Sequence, residues 1–116
     1  MFSLFKKSNI GIDIVEVERF SKYQYNKIDP FLEKVFSRQE LDYCFTFNDP
    51  APHLAGLFSA KEATSKALGV NKYPFIEIEI RHEKDGAPCV YNQGKKLSVR
   101  ISITHTKICA CAVAIT

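Results

Sequence analysis

Between the turn-rich breaker Asn48-Asp-Pro-Ala-Pro52 and Gly69 lies the longest stretch of this 116-residue chain that reads as a helix, 53–68. Leu57, Ala60, Thr64 and Leu68 form one stripe along it, and Phe58, Glu62, Ser65 and Lys66 form a second. No other segment sustains helical periodicity for so long, so the rest of the chain must be built from short pieces.

Those pieces change period on either side of the helix. Ile10, Ile12 and Ile14 alternate with Gly11, Asp13 and Val15, the pattern of a strand with one strongly apolar face and Asp13 on the other. From Glu16 the spacing of Val17, Phe20 and Tyr23 predicts a helix. Asp29-Pro30 opens another, with Asp29 as N-cap, ending near Phe36. Ser37-Arg-Gln-Glu40 fits a capping box and opens a third through Leu41, Tyr43 and Cys44. Beyond Gly69 the period is two again. Strands are predicted over 75–81, 88–91, 97–103 and 108–115, with turns at Asp85-Gly86, at Asn92-Gln-Gly94 and at Thr104-His-Thr-Lys107. The order of one strand, several helices and an antiparallel meander is an α+β layout.

The length suits one domain, 1–116, that buries roughly two thirds of its unfolded surface and needs no metal or disulfide staple. The longest apolar run, 108–115, falls short of the ~18 residues of a membrane span. Met1-Phe-Ser-Leu-Phe-Lys-Lys7 lacks the apolar stretch and cleavage site of an export signal. Cys44, Cys89, Cys109 and Cys111 therefore read as reduced thiols, and the chain as cytoplasmic. The net charge of +3 permits an acidic partner. Nucleic-acid binding is disfavoured, because arginines are few, tryptophan is absent and the strand charges are largely glutamates.

Each candidate residue has a plain reading beside a chemical one. Asp13 reads as a solvated or capping carboxylate, yet an acid between isoleucines needs a partner, and a metal is one candidate. Glu62 and Lys66 read as an i,i+4 surface ion pair, or as a metal-ligating carboxylate one turn from a phosphate-binding ammonium. Magnesium takes only one or two protein carboxylates, so Asp13 with Glu62 would satisfy it. His105, between two threonines where two strands meet, reads as a hydrogen-bonded structural group or as a site residue. His105, Cys109 and Cys111 have the wrong spacing for zinc.

Four segments resemble, in order and spacing, the motifs of the holo-acyl-carrier-protein synthases, small 4'-phosphopantetheinyl transferases. They are Gly11-Ile-Asp-Ile-Val-Glu-Val-Glu-Arg-Phe20, Phe58-Ser-Ala-Lys-Glu-Ala-Thr-Ser-Lys-Ala-Leu-Gly69, Asp85-Gly-Ala-Pro88 and Ser102-Ile-Thr-His-Thr106. The resemblance runs from about residue 9 to the C-terminus. It implies the 4'-phosphopantetheinyl transferase fold and transfer of 4'-phosphopantetheine from coenzyme A to a serine of apo acyl carrier protein, Mg2+-dependent, releasing adenosine 3',5'-bisphosphate, within fatty acid biosynthesis. By the same resemblance Asp13 and Glu62 are magnesium ligands and Lys66 touches the pyrophosphate. Ser65 and Gly69 line the nucleotide site, and Pro88, His105 and Thr106 lie near the adenosine and its 3'-phosphate. Arg19, Phe20 and Lys22 match the surface that receives the acidic carrier protein.

Three departures accompany the match. Leu57 stands where members commonly carry a basic residue, Val70-Asn-Lys-Tyr73 replaces the usual Thr-Gly, and Asn9 replaces a frequent glycine. They keep open an inactive homologue that binds carrier protein without modifying it. Members are typically homotrimers with the active site between two chains; Ala110, Ala112 and Ala114 on one side of the last strand would let a neighbouring backbone approach, and equally would form an ordinary packed sheet face.

Overall fold

The computed structural model of the chain describes residues 9–27 and 29–116; the reading of residues 1–7 lies outside them. In chain order the elements are β1 (Ile10–Glu16), a 3-10 turn (Val17–Phe20), α1 (Pro30–Val35), α2 (Arg38–Cys44) and α3 (Ala51–Leu68). A second 3-10 turn (Phe75–Glu77) leads into β2 (Ile78–His82), β3 (Pro88–Asn92), β4 (Lys95–Lys96), β5 (Arg100–His105) and β6 (Cys109–Ile115). No helix among the described residues is long and apolar enough to cross a membrane.

The local signals act as their chemistry requires. Asp29 accepts from the Phe31 and Leu32 N–H groups at 2.8 and 3.3 Å, with Pro30 at the first helical position. Ser37 and Glu40 complete the capping box of α2. α3 starts two residues before the predicted His53, because prolines are tolerated in a first turn whose N–H groups have no helical partner anyway. At its other end Gly69 takes φ 113° and stops it.

Three elements differ from the sequence reading. The helix predicted from Glu16 is a single 3-10 turn. Glu16 still pairs with Cys109 in the sheet, Val17 donates to the Ile108 carbonyl, and Ser21 closes the turn onto Glu18. The strand predicted over 75–81 begins at Ile78, and that over 97–103 at Arg100, after Leu97 has bonded to Val90. Thr104 and His105, placed in a turn by the sequence, are paired strand residues opposite Cys111 and Ala110.

The antiparallel strands divide into two three-stranded sheets, β1-β6-β5 and β2-β3-β4. α3 packs on the first. Facing it are Gly11, Val15, Ala110, Ala112 and Ala114, all buried, and from the helix come Ala60, Ala63 and Ala67. A Cβ on Gly11 would lie 2.0 Å from the Ala63 carbonyl oxygen, so glycine alone lets the strand come this near. The alanine stripe of β6 therefore receives α3 of its own chain and is an ordinary packed sheet face rather than a surface for a neighbour. On the opposite face Ile10, Ile12 and Ile14 are 69%, 63% and 67% exposed.

A second contact fixes α3 from behind. Lys61 is fully buried and its Nζ donates to Glu40 Oε1 at 2.6 Å. The same carboxylate accepts from the backbone N–H of Ile80 at 2.7 Å and of Ser37 at 2.9 Å, so it ties together α2, α3 and β2. A buried ion pair contributes little net stability, but losing one member strands the other charge. Glu40→Ala is expected to cost about 3–5 kcal/mol in urea denaturation; a loss below about 0.5 kcal/mol would show that the Lys61 charge is accommodated without it.

Candidate active site

The alternation of β1 that turns the isoleucines outward turns Asp13 towards α3. Two residues of α3 grip the strand there. Ser59 Oγ donates to the Asp13 carbonyl at 2.9 Å, and Lys66 Nζ donates to the Ile12 carbonyl at 2.9 Å while lying 3.4 Å from Asp13 Oδ1. The Asp13 side chain is 17% exposed and that of Lys66 48%, so the pair sits at the edge of solvent. Lys66 thus serves the strand rather than Glu62, against the surface-pair reading of those two residues.

Glu62 lies one turn before Lys66 on the same helix face. Its carboxyl holds its proton above the ordinary range, first because it is partly desolvated and next because the Asp13 charge opposes ionisation; Lys66 and Arg19 pull the other way. Two carboxylates and a lysine from elements remote in sequence therefore share one field. Hard oxygen donors that repel each other are the kind of pair that a divalent cation relieves, and one or two suffice for magnesium. Among the described residues no cluster of three or more His, Cys, Asp or Glu side chains suits a metal.

Ser65 and Gly69 continue along the helix face of Glu62 and Lys66, Ser65 accepting the Gly69 N–H at 3.0 Å. Pro88 and His105 are placed apart from this group. They line a cleft of about 280 Å3 with Tyr43, His53, Leu57 and His82. Thr106 builds the turn between β5 and β6, its hydroxyl accepting from the Ile108 and Cys109 N–H groups. Along α3 Glu62 follows His53 by about 13 Å and Leu57, which also lines the cleft, by about 8 Å.

Arg19, Lys22, Tyr23 and Phe31 border a further cleft of about 290 Å3. Phe20, expected on the partner-facing surface, is 1% exposed, which corrects that reading. It packs among Tyr23, Phe31, Phe36 and Phe58 and reaches the cleft only as its floor. The Arg19 guanidinium lies over Phe58 at 5.3 Å, and the Lys22 ammonium over Tyr23 at 5.3 Å.

A sequence model of the 4'-phosphopantetheinyl transferase superfamily matches residues 9–115. The chain belongs to that superfamily. It is 40% identical to the holo-[acyl-carrier-protein] synthase of Thermoanaerobacter sp. (strain X514), covering 91% of this chain and 86% of the relative. It is 41% identical to the synthase of the same name from Thermodesulfovibrio yellowstonii, covering 91% and 95%. The fold superposes on the holo-(acyl-carrier-protein) synthase of Bacillus anthracis in complex with CoA (3',5'-ADP), with TM-score 0.75, 32% identity and coverage of 92% and 93%. It also superposes on the Helicobacter pylori enzyme in complex with coenzyme A, with TM-score 0.75, 36% identity and coverage of 90% and 96%.

In this transferase the sequence marked the carboxylates and the lysine, but not His53 and His82, which share the cleft of Pro88 and His105. They come from different elements, and no spacing in the sequence connects them. The charge coupling at the other group is directly measurable. Asp13→Asn removes a negative charge that holds the Glu62 proton on, so the Glu62 pKa is expected to fall towards its ordinary 4.5 in a carboxyl-carbon NMR titration. An unchanged or higher value would show that the two carboxylates do not sense each other.

Proposed function

We propose that this chain transfers 4'-phosphopantetheine from coenzyme A to a serine of apo acyl carrier protein, releasing adenosine 3',5'-bisphosphate, with Asp13 and Glu62 as the ligands of a magnesium ion. The observation that carries the reading is the placement of these two acids and Lys66 in one electrostatic field at the edge of solvent. The superfamily membership and the coenzyme A complexes of the relatives support the substrate.

In the reaction the serine oxygen bonds to the phosphorus nearest the pantetheine arm, its proton passes to water or to a carboxylate such as Glu62, and the bond from that phosphorus to the departing phosphate breaks. Negative charge gathers on the leaving group. Bound between Asp13 and Glu62, Mg2+ would neutralise diphosphate charge. Lys66, already anchored to the Ile12 carbonyl, holds its ammonium where it offsets the same charge at no cost of reorganisation. Ser65 and Gly69 border the nucleotide on the same helix face.

Arg19 and Lys22, propped on aromatic rings, present fixed positive charge to the acidic carrier protein and steer its approach. His105 lines a cleft that Asp13, Glu62 and Lys66 do not border, which supports a site completed by a second copy of the chain. The outward isoleucines of β1, with Ile115 beside them, support a homotrimer as the form in which that happens.

Transfer is read by mass as a phosphopantetheine adduct on the carrier protein. Asp13→Ala and Glu62→Ala are expected to abolish it, and Lys66→Met to slow it about 10²–10³-fold, with thermal unfolding little changed in each. Undiminished turnover in either carboxylate variant, or wild-type turnover with all divalent cation chelated, would overturn the magnesium assignment.

A further inference from the structure

Away from the carboxylates and lysine, the fold concentrates imidazoles. His53 from the first turn of α3, His82 from the end of β2 and His105 from the end of β5 line the same cleft. The rings of His53 and His105 meet edge to face with centroids 5.2 Å apart. His82 stacks on Tyr43 at 4.1 Å, and His53 on Phe47 at 3.5 Å. Among the described residues no side-chain hydrogen bond ends on these rings.

The charge around them is one-sided in an informative way. No carboxylate, lysine or arginine lines the cleft, and Leu57, one turn beyond His53, contributes only apolar surface. His53 and His82 are therefore lining groups able to become positive when an anion enters. Desolvation holds His53 and His82 below the ordinary histidine range, and His105 and His82 depress His53 further; Asp49, in the turn before α3, opposes this. Tyr43 from α2 is the other ionisable neighbour. Arg81 and Glu83, which flank His82, are engaged with Glu79 and Lys96. The three rings are not placed to share a metal ion among the described residues, and the cleft is receptive to an anion, whose charge reverses the penalty on protonating His53 and His82. Stacking on Tyr43 and Phe47 further favours the imidazolium form once an anion is present.

We propose that His53 and His82 join His105 in binding a phosphate monoester of the nucleotide substrate, and that the His53 and His82 rings take up protons as it enters. The identification of that ester as the 3'-phosphate of the coenzyme A nucleotide rests on the transferase reading above; the anion site itself rests on the cleft. Two imidazoles thereby replace the fixed positive charge that Leu57 does not supply. The consequence is a nucleotide affinity that rises as pH falls, a behaviour that a lysine or arginine in the same place would not give in this range.

The probe is adenosine 3',5'-bisphosphate, set against adenosine 5'-monophosphate, which lacks the 3' ester. Titration calorimetry near pH 6.5 in buffers of different ionisation enthalpy is expected to show net proton uptake for the bisphosphate and none for the monophosphate. Bisphosphate affinity should fall about tenfold between roughly pH 6 and pH 8. His53→Gln and His82→Gln should each weaken it about tenfold near pH 6.5 and flatten its pH dependence. Bisphosphate binding without proton uptake, equal uptake for both nucleotides, or wild-type affinity in both variants would overturn the inference while leaving the transferase reading intact. Proton-coupled bisphosphate binding by a protein that never modifies apo carrier protein would uphold the site and defeat the transferase reading.

Discussion

The backbone of β1 lies against α3 with no room for a side chain at Gly11, and the geometry of the candidate site descends from that approach. Any other residue would drive a carbon into the Ala63 carbonyl and the Ala67 N–H. The surrounding surface is made equally flat by Ala60 on the helix and by Ala110, Ala112 and Ala114 on β6. Close packing of this kind puts Asp13, two residues along the strand, within reach of Lys66 and in the field of Glu62.

Proximity alone would not orient the helix. Its rotation is set by Lys61, which points inward to Glu40, and Glu62, the next residue, is consequently carried towards the solvent edge. The two charged layers differ in environment. The Lys61–Glu40 pair is fully buried, and its carboxylate accepts from Lys61, Ile80 and Ser37, which makes it a fixed strut. The Asp13–Lys66 pair is half-open and flanked by the unpaired Glu62, which leaves room for a charged ligand to enter and compete.

How much of this could be read from the chain depended on how local the deciding interaction was. The caps at Asp29 and Ser37 and the stop at Gly69 involve neighbours within a few residues, and sequence places them well. Asp13, Glu62 and Lys66 were legible as motif members, though nothing in the spacing announced that Lys66 would bond to β1 instead of Glu62. The pairing of β1 with β6 joins the two ends of the chain and has no local signature, so a continuous meander was the natural expectation where the strands form two sheets. Apolar alternation identifies a face but not which way it points. Ile10, Ile12 and Ile14 proved to face outward, whereas Phe20, on a turn too short to show a period, proved to be core. The imidazole cleft draws on α3, β2 and β5 at once and was invisible until those elements were assembled.

The two groups of site residues occupy the two halves of α3, and the apolar face of β1 is turned outward from it. Whether each half works, however, still depends on the strand lying flush with the helix. Gly11→Ala is the most direct test, read as the rate of phosphopantetheine transfer well below the unfolding temperature, with stability measured alongside. The account predicts a loss of about 1–3 kcal/mol from overpacking and a collapse of transfer to the level of a variant without the Asp13 carboxylate. A Gly11→Ala protein as stable and as fast as the unaltered chain would contradict it.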